Sequence, residues 1–218
     1  MLKIIKNLFL RNSPCRTLQK IESEKFTLSG DCLEIGSLNL NKKSFFNDFS
    51  YKQAKFFFCD LKKIKQKNYF SLNLEKKNFI KKKFDNIIIF NVLEHVFDID
   101  NAFSELKKLL KPNGKLYIST PFLYRYHEAP KDYYRFTPDF YEEIVKKKKF
   151  KIIYKKNLST GPFFCSYSIL HNILSFLFPI NILYAICMIF LDKILRLFSK
   201  QLVDIYPICN LIVLKKKT

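Results

Sequence analysis

The amino-acid sequence predicts an α/β fold built on a mostly parallel β-sheet, and the stretch over 84–121 is the main reason. Its apolar run at 87–90 has the length and β-branched content of a strand buried on both faces. A Pro112-Asn113-Gly114 turn precedes a second predicted strand over 115–120. The segment between the two strands carries the apolar spacing of one buried helix face, at Ile99, Ala102, Phe103, Leu106, Leu109 and Leu110. Two strands joined by a helix form a βαβ unit, which implies a parallel sheet.

Length and composition agree with this fold class. The chain has 218 residues, of which 48% are hydrophobic, enough for the core of one α/β domain with an appended element. We therefore expect a single domain. Its expected parts are an N-terminal helical segment over 1–28, a core over 29–158, a hydrophobic helical insertion over 159–205 and a final strand over 206–218.

Further strands are predicted on both sides of the βαβ unit. Before it we expect a helix over 16–28, a turn at Ser29-Gly30-Asp31, a strand over Cys32–Gly36, a polar loop over 37–50, a strand over Phe56–Asp60, a weaker strand over Tyr69–Leu74 and a charged connector over 76–83. After it we expect a helix over Asp139–Lys147, with Thr137 as its N-cap and Pro138 at its first position, and strands over Phe150–Asn157 and Cys209–Lys215. The last two strands are expected to pair antiparallel at the edge of the sheet.

The segment over 163–198 is strongly apolar, yet a membrane span is not the favoured interpretation. Its cleanest part, 182–191, falls well short of the about 20 residues that a spanning helix needs. A single span would also separate the last two strands. We expect two helices broken near Pro179-Ile180-Asn181. They would form a cap over the ligand-binding site, a homodimer face or a contact with the membrane surface.

The N-terminal segment over 1–16 has no continuous apolar region and no clear cleavage site. It predicts a short basic amphipathic helix and no signal peptide. The six cysteines show no metal-ligand spacing. Cys32 and Cys59 lie in or beside apolar strand-like runs and suit small core residues in a reducing compartment. No metal is expected. The expected location is the cytoplasm, with the inner face of the membrane as the alternative.

The net charge of +20 has two interpretations. The charge could attract nucleic acid or anionic lipid. Alternatively, it could result from a lysine-rich composition whose side chains lie on solvated faces. The lysines are spread along the chain, and a nucleic-acid surface usually uses more arginine than the five present here. The sequence therefore favours the second interpretation.

Ligands of a parallel sheet bind at the carboxyl ends of its strands. That rule selects the residues after 90 and after 120, and the motifs there carry a family resemblance. LEIG at 33–36, Asp60 at a strand end, NVLEHV at 91–96 and LKPNGKLYISTP at 110–121 together resemble class I S-adenosylmethionine-dependent methyltransferases of the small bacterial type-11 kind. The resemblance covers roughly 30–158. It implies a Rossmann-like seven-stranded sheet with an antiparallel last strand and helices on both faces.

The same resemblance implies S-adenosyl-L-methionine as the cofactor and assigns its site. In the family, the loop after the first strand approaches the methionine part of the cofactor. A carboxylate at the end of the second strand accepts hydrogen bonds from the ribose hydroxyls, and a residue near the end of the third strand contacts the adenine. The implied cofactor-binding residues are Glu34, Ile35, Gly36, Ser37, Asp60, Leu61, Asn73, Leu74, Asn91, Val92, Leu93 and Glu94. The first loop has one glycine where the family usually has two or three. GxGxxG is absent, which argues against a dinucleotide-binding fold.

The stretch PFLYRYHEAPKDYYRFTP at 121–138 is similar to a subset of these methyltransferases that are encoded near bacterial surface-glycan genes. His127 is the first candidate for a general base, oriented by Glu128 or Asp132, because imidazole titrates near neutral pH. Expected substrate-binding residues are His95, Tyr133, Tyr134 and Arg135, with His95 as the second candidate base. Structural roles remain open: His95 as a helix cap or as a hydrogen-bond partner of a neighbouring loop, the tyrosines as core aromatics, and Arg135 as a brace paired with Asp132 or Glu128.

Three functions compete at this point. The leading one is methyl transfer to a small-molecule or glycan acceptor, with O-methylation as the expected reaction in glycan biosynthesis. The second is a nucleic-acid methyltransferase or binder, motivated by the charge. It is disfavoured because NVLEH stands where a DPPY or NPPY sequence would serve base methylation. The third is a non-catalytic scaffold, motivated by the single glycine of the first loop.

Overall fold

The computed structural model describes residues 1–37 and 44–217. Within these ranges seven strands form one sheet: β1 (Thr27–Ile35), β2 (Ser50–Asp60), β3 (Tyr69–Ser71), β4 (Phe84–Phe90), β5 (Leu110–Ser119), β6 (Phe150–Leu158) and β7 (Cys209–Lys216). Their order is β3-β2-β1-β4-β5-β7-β6. Strands β1 to β5 pair in parallel, and β7 runs antiparallel to both β5 and β6. The predicted sheet, mostly parallel with an antiparallel last strand, is confirmed.

Helices cover both faces of this sheet. They are α1 (Leu2–Phe9), α2 (Pro14–Ser23), α3 (Ile99–Leu109), α4 (Pro138–Lys147), α5 (Pro162–Leu174), α6 (Ile180–Phe198) and the short α7 (Lys200–Asp204). The central strand β4 contributes side chains to the core on both faces of the sheet, because successive side chains of a strand point to opposite faces. Ile87 and Ile89 pack with α3 and α4, whereas Ile88 and Phe90 pack with α1, α2, α5 and α6. All four are buried, as the apolar run predicts.

Several predicted boundaries on the first half of the sheet are wrong. The helix expected over 16–28 ends at Ser23, and β1 already begins at Thr27. The expected turn at Ser29-Gly30-Asp31 lies inside β1, where the register against β2 shifts between Ser29 and Gly30. The extra residue at this irregularity is Gln53 of β2, and β1 continues without interruption through Gly30.

Strand β2 begins at Ser50 and not at Phe56. Its first half is exposed and polar, so it lacks an apolar pattern, and it is held by pairing with β1 from the Thr27–Ser50 pair onward. Strand β3 ends at Ser71 and not at Leu74. In the loop expected over 37–50, residues 38–43 lie outside the described part, and Phe45–Asp48 form a 3-10 turn.

The segment over 110–114 was expected to be a helix end and turn, but it forms the beginning of β5, with a register irregularity against β4. Asn113 adopts a positive φ of 61° there. The other strand and helix predictions after residue 115 hold. Thr137 caps α4 by accepting the Phe140 N–H at 3.3 Å, as expected.

The apolar insertion between β6 and β7 folds into two main helices, α5 and α6, and the break falls at Pro179, as predicted. Asp192 of α6 fastens the two helices together. Its buried carboxylate accepts the Thr160 hydroxyl at 2.7 Å and the N–H groups of Phe163 and Phe164, both at 2.9 Å. A carboxylate at the start of α5 suits both the free N–H groups and the dipole of that helix.

None of the helices in the described part of the chain is both long and apolar enough to cross a lipid bilayer. The N-terminal helix α1 forms as predicted and lies against the insertion, where Phe9 packs edge-on against Phe178 with ring centroids 5.9 Å apart. Cys32 and Cys59 are fully buried in the core, which confirms their predicted structural place.

Candidate active site

A cavity of about 590 Å³ lies at the carboxyl ends of β1, β2 and β4. Its lining includes eight of the twelve residues assigned to the cofactor: Ile35, Gly36, Asp60, Leu61, Asn73, Leu74, Asn91 and Val92. Parallel topology brings these residues together, because the ends of neighbouring strands meet at one edge of the sheet. Of the residues assigned to catalysis and acceptor binding, His95 and Tyr133 also line it.

Gly36 permits the close approach of two loops at the floor of the cavity. Its N–H donates to the Cys59 carbonyl at 2.9 Å, and its φ of +84° lies in the left-handed region. A Cβ at this position would stand 2.3 Å from Cγ2 of Val92. Only glycine combines this backbone conformation with this contact. The single glycine of the first loop is therefore placed where the local geometry requires one.

Asp60 ends β2 with its half-buried carboxylate at the cavity. It accepts the Lys62 N–H at 3.4 Å, a long bond that leaves the carboxylate oxygens available to a ligand. Asn73 uses its side-chain oxygen to accept the Glu75 N–H at 2.8 Å, which leaves the amide NH₂ as its donor group. A carboxylate and an amide donor thus stand at neighbouring strand ends.

Asn91 is oriented from beneath by a residue that the sequence did not reveal. Its φ is +55°, and its N–H donates to the Ser119 carbonyl at 2.8 Å. The fully buried Gln19 of α2 donates to the Asn91 side-chain oxygen at 2.7 Å and accepts from its amide at 3.2 Å. The signal available in the sequence was only a polar residue within a predicted helix.

Four predicted cofactor residues lie outside the cavity lining: Glu34, Ser37, Leu93 and Glu94. Glu34 instead fastens the chain that follows the first loop, by accepting the Ser44 hydroxyl at 2.5 Å and the Phe45 N–H at 3.1 Å. Burial raises the pKa of Glu34, and Arg16 nearby opposes that effect. Leu93 is a core residue. Sequence analysis did not select the lining residues Lys62, Leu72, Glu75, Val96, Ala129, Pro130 and Lys131.

Glu94, His95 and His127 form a cluster beside the cavity. Glu94 is 0% exposed, and within the described residues neither of its carboxylate oxygens has a hydrogen-bond partner. Burial raises the pKa of Glu94 to about 8. Nε2 of His95 lies 3.8 Å from Glu94 Oε1, and the two imidazole rings meet edge to face with centroids 4.9 Å apart. Two loops, after β4 and after β5, supply these side chains.

Asp132 and Arg135 brace the loop that carries His127. Arg135 donates to both Asp132 oxygens, at 2.5 and 2.7 Å, and this pairing lowers the pKa of Asp132 to about 2. Asp132 Oδ2 also accepts the His127 N–H at 3.0 Å and lies 3.3 Å from His127 Nδ1. Burial, with a smaller effect from His95, lowers the pKa of His127. The predicted pairing of Arg135 with Asp132 is thus present, and Asp132 is the carboxylate beside His127.

Glu128, the other carboxylate assigned to His127, is exposed and accepts the Tyr126 hydroxyl at 2.7 Å. Tyr133 lines the cavity and packs against Phe97, with ring centroids 5.2 Å apart. Tyr134 donates its hydroxyl to the Phe97 carbonyl at 3.0 Å. The N–H groups of both tyrosines donate to the Glu94 carbonyl, at 2.8 and 3.3 Å, so the two loops are joined by backbone hydrogen bonds.

Comparison with known proteins identifies a protein family that part of the chain matches. Residues 31–116 match a family described as a methyltransferase domain. That match spans β1 to β5 and so contains the cavity floor. No curated protein sequence matches the chain.

Solved structures of the same fold are distant in sequence. A phosphoethanolamine N-methyltransferase 2 of Haemonchus contortus, in complex with S-adenosyl-L-methionine, superposes with a TM-score of 0.55 at 19% identity over 92% of this chain. The match covers 52% of that protein, so the chain spans about half its length. A proposed S-adenosylmethionine-dependent methyltransferase of Listeria monocytogenes gives 0.53 at 12% identity, over 92% of this chain and 99% of its own. The [4+2]-cyclase SpnF gives 0.55 at 14% identity, over 95% and 84%.

At these identities the structural likeness shows the fold alone, and SpnF carries the name of a cyclase. The activity is indicated by the family match, which covers 31–116. That match supports a class I S-adenosylmethionine-dependent methyltransferase with S-adenosyl-L-methionine as its cofactor. The cavity fits that group, because the backbone at Gly36 lines it without a side chain and Asp60 offers a carboxylate at the second strand end.

Proposed function

We propose that this methyltransferase transfers a methyl group to a hydroxyl of a small-molecule or glycan acceptor. The observation that carries the proposal is the histidine and carboxylate cluster beside the cofactor cavity, in which Asp132 stands 3.3 Å from Nδ1 of His127. An alcohol must lose its proton as it is methylated, and an imidazole backed by a carboxylate is suited to receive it.

Binding of the cofactor is assigned to the strand ends. Asp60 accepts the ribose hydroxyls, Asn73 contacts the adenine, and the backbone around Gly36 and Asn91 lies along the methionine part. When bound, the cofactor supplies a methyl group already activated by a sulfonium. The remaining task of the protein is to hold the acceptor in line and to exclude water.

The acceptor is assigned to the loop after β5. Its residues Ala129, Pro130, Lys131 and Tyr133 line one side of the cavity. His127 receives the proton, Asp132 holds the imidazole, and Arg135 keeps Asp132 ionised and in place. His95, whose Nδ1 lies 2.6 Å from the Lys131 carbonyl, joins this loop to the cofactor side.

Transfer of an isotope-labelled methyl group tests the acceptor class. The protein is incubated with methyl-labelled cofactor and with separated glycan, small-molecule and nucleic-acid fractions of a cell extract, and Asp60→Ala serves as the inactive control. We expect label in the glycan or small-molecule fraction, as an ether stable to mild alkali. Label in nucleic acid would support the alternative that the charge of +20 suggests. Absence of S-adenosylhomocysteine binding at millimolar ligand would contradict any transferase function.

We further propose that the insertion and α1 lie on an anionic membrane surface, which would bring the active site to a lipid-linked acceptor. Many large apolar side chains are exposed on these helices: Leu2, Phe9, Leu10, Ile169, Ile173, Phe176, Ile180, Leu183, Phe190, Leu197 and Phe198. This set is called the apolar surface below. Basic residues accompany it at Lys3, Lys6, Arg11, Lys193, Arg196 and Lys200. Apolar side chains with flanking cations match the interface of an anionic bilayer.

Replacement of Leu197 and Phe198 by serine is expected to lower binding to anionic phosphatidylglycerol vesicles by at least tenfold. The two side chains are 83% and 84% exposed, and each contributes about 1.5 to 3 kcal/mol when it leaves water. Co-sedimentation with vesicles is the measurement. Phe79→Ser is the matched control, because Phe79 is 83% exposed but lies in the connector over 76–83.

Salt should weaken the vesicle binding, since exposed charges are screened. The proposal fails if the parent protein does not bind anionic vesicles, or if the double variant binds as the parent does. A dimer that the double variant dissociates would assign the apolar surface to a second copy of the chain.

A further inference from the structure

We propose that Glu94, His95 and His127 form a binding site for a divalent transition-metal ion. One ligand atom from each side chain lies within 4.8 Å of the other two. Metal–ligand distances of about 2.0 to 2.2 Å place neighbouring ligand atoms about 3 to 3.5 Å apart. The proposal therefore requires the side chains to move slightly closer together when an ion binds.

Glu94 is the strongest indication of a missing partner. Its carboxyl group is 0% exposed, and neither oxygen accepts a hydrogen bond within the described residues. Burial of a carboxylate without a partner is costly. The two imidazoles each place a ring nitrogen within 4.8 Å of a Glu94 oxygen, and a cation shared with them would give the carboxylate its missing partner.

Each histidine has an oxygen atom near its Nδ1, where metal-binding imidazoles usually have a second partner, although the oxygen beside His127 forms no hydrogen bond with that ring nitrogen in this structure. Nδ1 of His95 lies 2.6 Å from the Lys131 carbonyl, which fixes the proton on Nδ1 and leaves the lone pair on Nε2, the nitrogen that faces Glu94 at 3.8 Å. Nδ1 of His127 lies 3.3 Å from Asp132, which Arg135 holds in turn. A carbonyl or carboxylate behind the imidazole orients a ligand and raises its basicity.

The donor set selects the class of ion. Two imidazole nitrogens and one carboxylate oxygen suit Zn²⁺, Fe²⁺, Co²⁺ or Ni²⁺, whereas Mg²⁺ and Ca²⁺ prefer oxygen ligands alone. Three protein ligands leave coordination positions open. Spacing along the sequence could not reveal the site, because its ligands come from two loops that only the sheet brings together.

An ion at this site would also affect catalysis, provided that the proposed function is correct. His95 lines the cavity, so an ion held there is within reach of the acceptor. A metal ion lowers the pKa of a bound hydroxyl. With an ion bound, His127 would serve as its ligand, and the ion would lower the pKa of the acceptor hydroxyl so that its proton could leave to solvent. Without an ion, His127 itself receives that proton.

Metal titration of the full chain, stripped with a chelator and without cofactor, tests the site. Calorimetry with Zn²⁺ and the visible absorption of Co²⁺ are the readouts. We expect one ion per chain and at least a tenfold loss of affinity in Glu94→Gln and in His127→Ala. Glu143→Gln and His171→Ala are the matched controls, since Glu143 is an exposed partner of Lys146 and His171 bonds Tyr167 on α5.

Binding of S-adenosylhomocysteine by each variant shows that it is folded, and His95→Ala replaces any variant that is not. The inference is overturned if millimolar Co²⁺ does not bind, or if Glu94→Gln and His127→Ala bind as the parent does. Either result would leave Glu94 as a buried neutral acid. Metal binding without methyl transfer would instead contradict only the proposed function.

Discussion

Asp60→Ala is expected to weaken binding of S-adenosylhomocysteine by roughly 100- to 1000-fold. The carboxylate stands at the carboxyl end of β2, lines the cavity and accepts only a long bond from Lys62 within the described residues. Two hydrogen bonds from ribose hydroxyls to a charged acceptor contribute about 1.5 to 2 kcal/mol each. Each 1.4 kcal/mol corresponds to a factor of ten in affinity.

Calorimetric titration measures the effect, and two further variants define its cause. Asp60→Asn retains an acceptor oxygen but not the charge, so its affinity should fall between those of the parent and Asp60→Ala. Asp100→Ala removes an exposed carboxylate that pairs with Lys147 and Lys148 far from the cavity, and it should bind as the parent does. Parent-like affinity of Asp60→Ala would place the ribose elsewhere.

The part of the fold that the sequence predicts best is the one whose pattern is local. In β4 the residues over 87–90 are buried on both faces, and the apolar run contains that information directly. Strand β2 differs, because its first residues from Ser50 are polar and exposed. They form a strand only through pairing with β1 from Thr27, a contact that no local pattern contains. Propensity is overridden there by tertiary structure.

The candidate site divides in a similar way. Residues at strand ends, such as Asp60 and Asn91, could be placed from topology alone. Glu34 was assigned to the cofactor because of its motif, although strand alternation puts it on the face opposite Ile35, where Arg16 and Ser44 lie. The Gln19 contact with Asn91 and the cluster around Glu94 depend on long-range packing, so they required the structure.

His127→Ala is expected to lower kcat by about 100- to 10,000-fold, the range that a general base contributes. Affinity for S-adenosylhomocysteine should stay within about twofold of the parent value, because His127 does not line the cofactor cavity. Initial rates of methyl transfer and calorimetry on the same preparations separate the two quantities. His171→Ala, which removes the histidine of α5, is the matched control.

Asp132→Asn sharpens this test because it keeps the shape of the side chain and removes its charge. The Asp132 carboxylate accepts from Arg135 and from the His127 N–H, and it stands 3.3 Å from His127 Nδ1. If Asp132 orients the imidazole, the double variant with His127→Ala should be no slower than His127→Ala alone, since a positioning residue has no effect without its partner. Additive losses would mean that Asp132 only braces the loop. An unchanged kcat in His127→Ala would remove His127 from the reaction and leave His95 as the remaining imidazole beside the cavity.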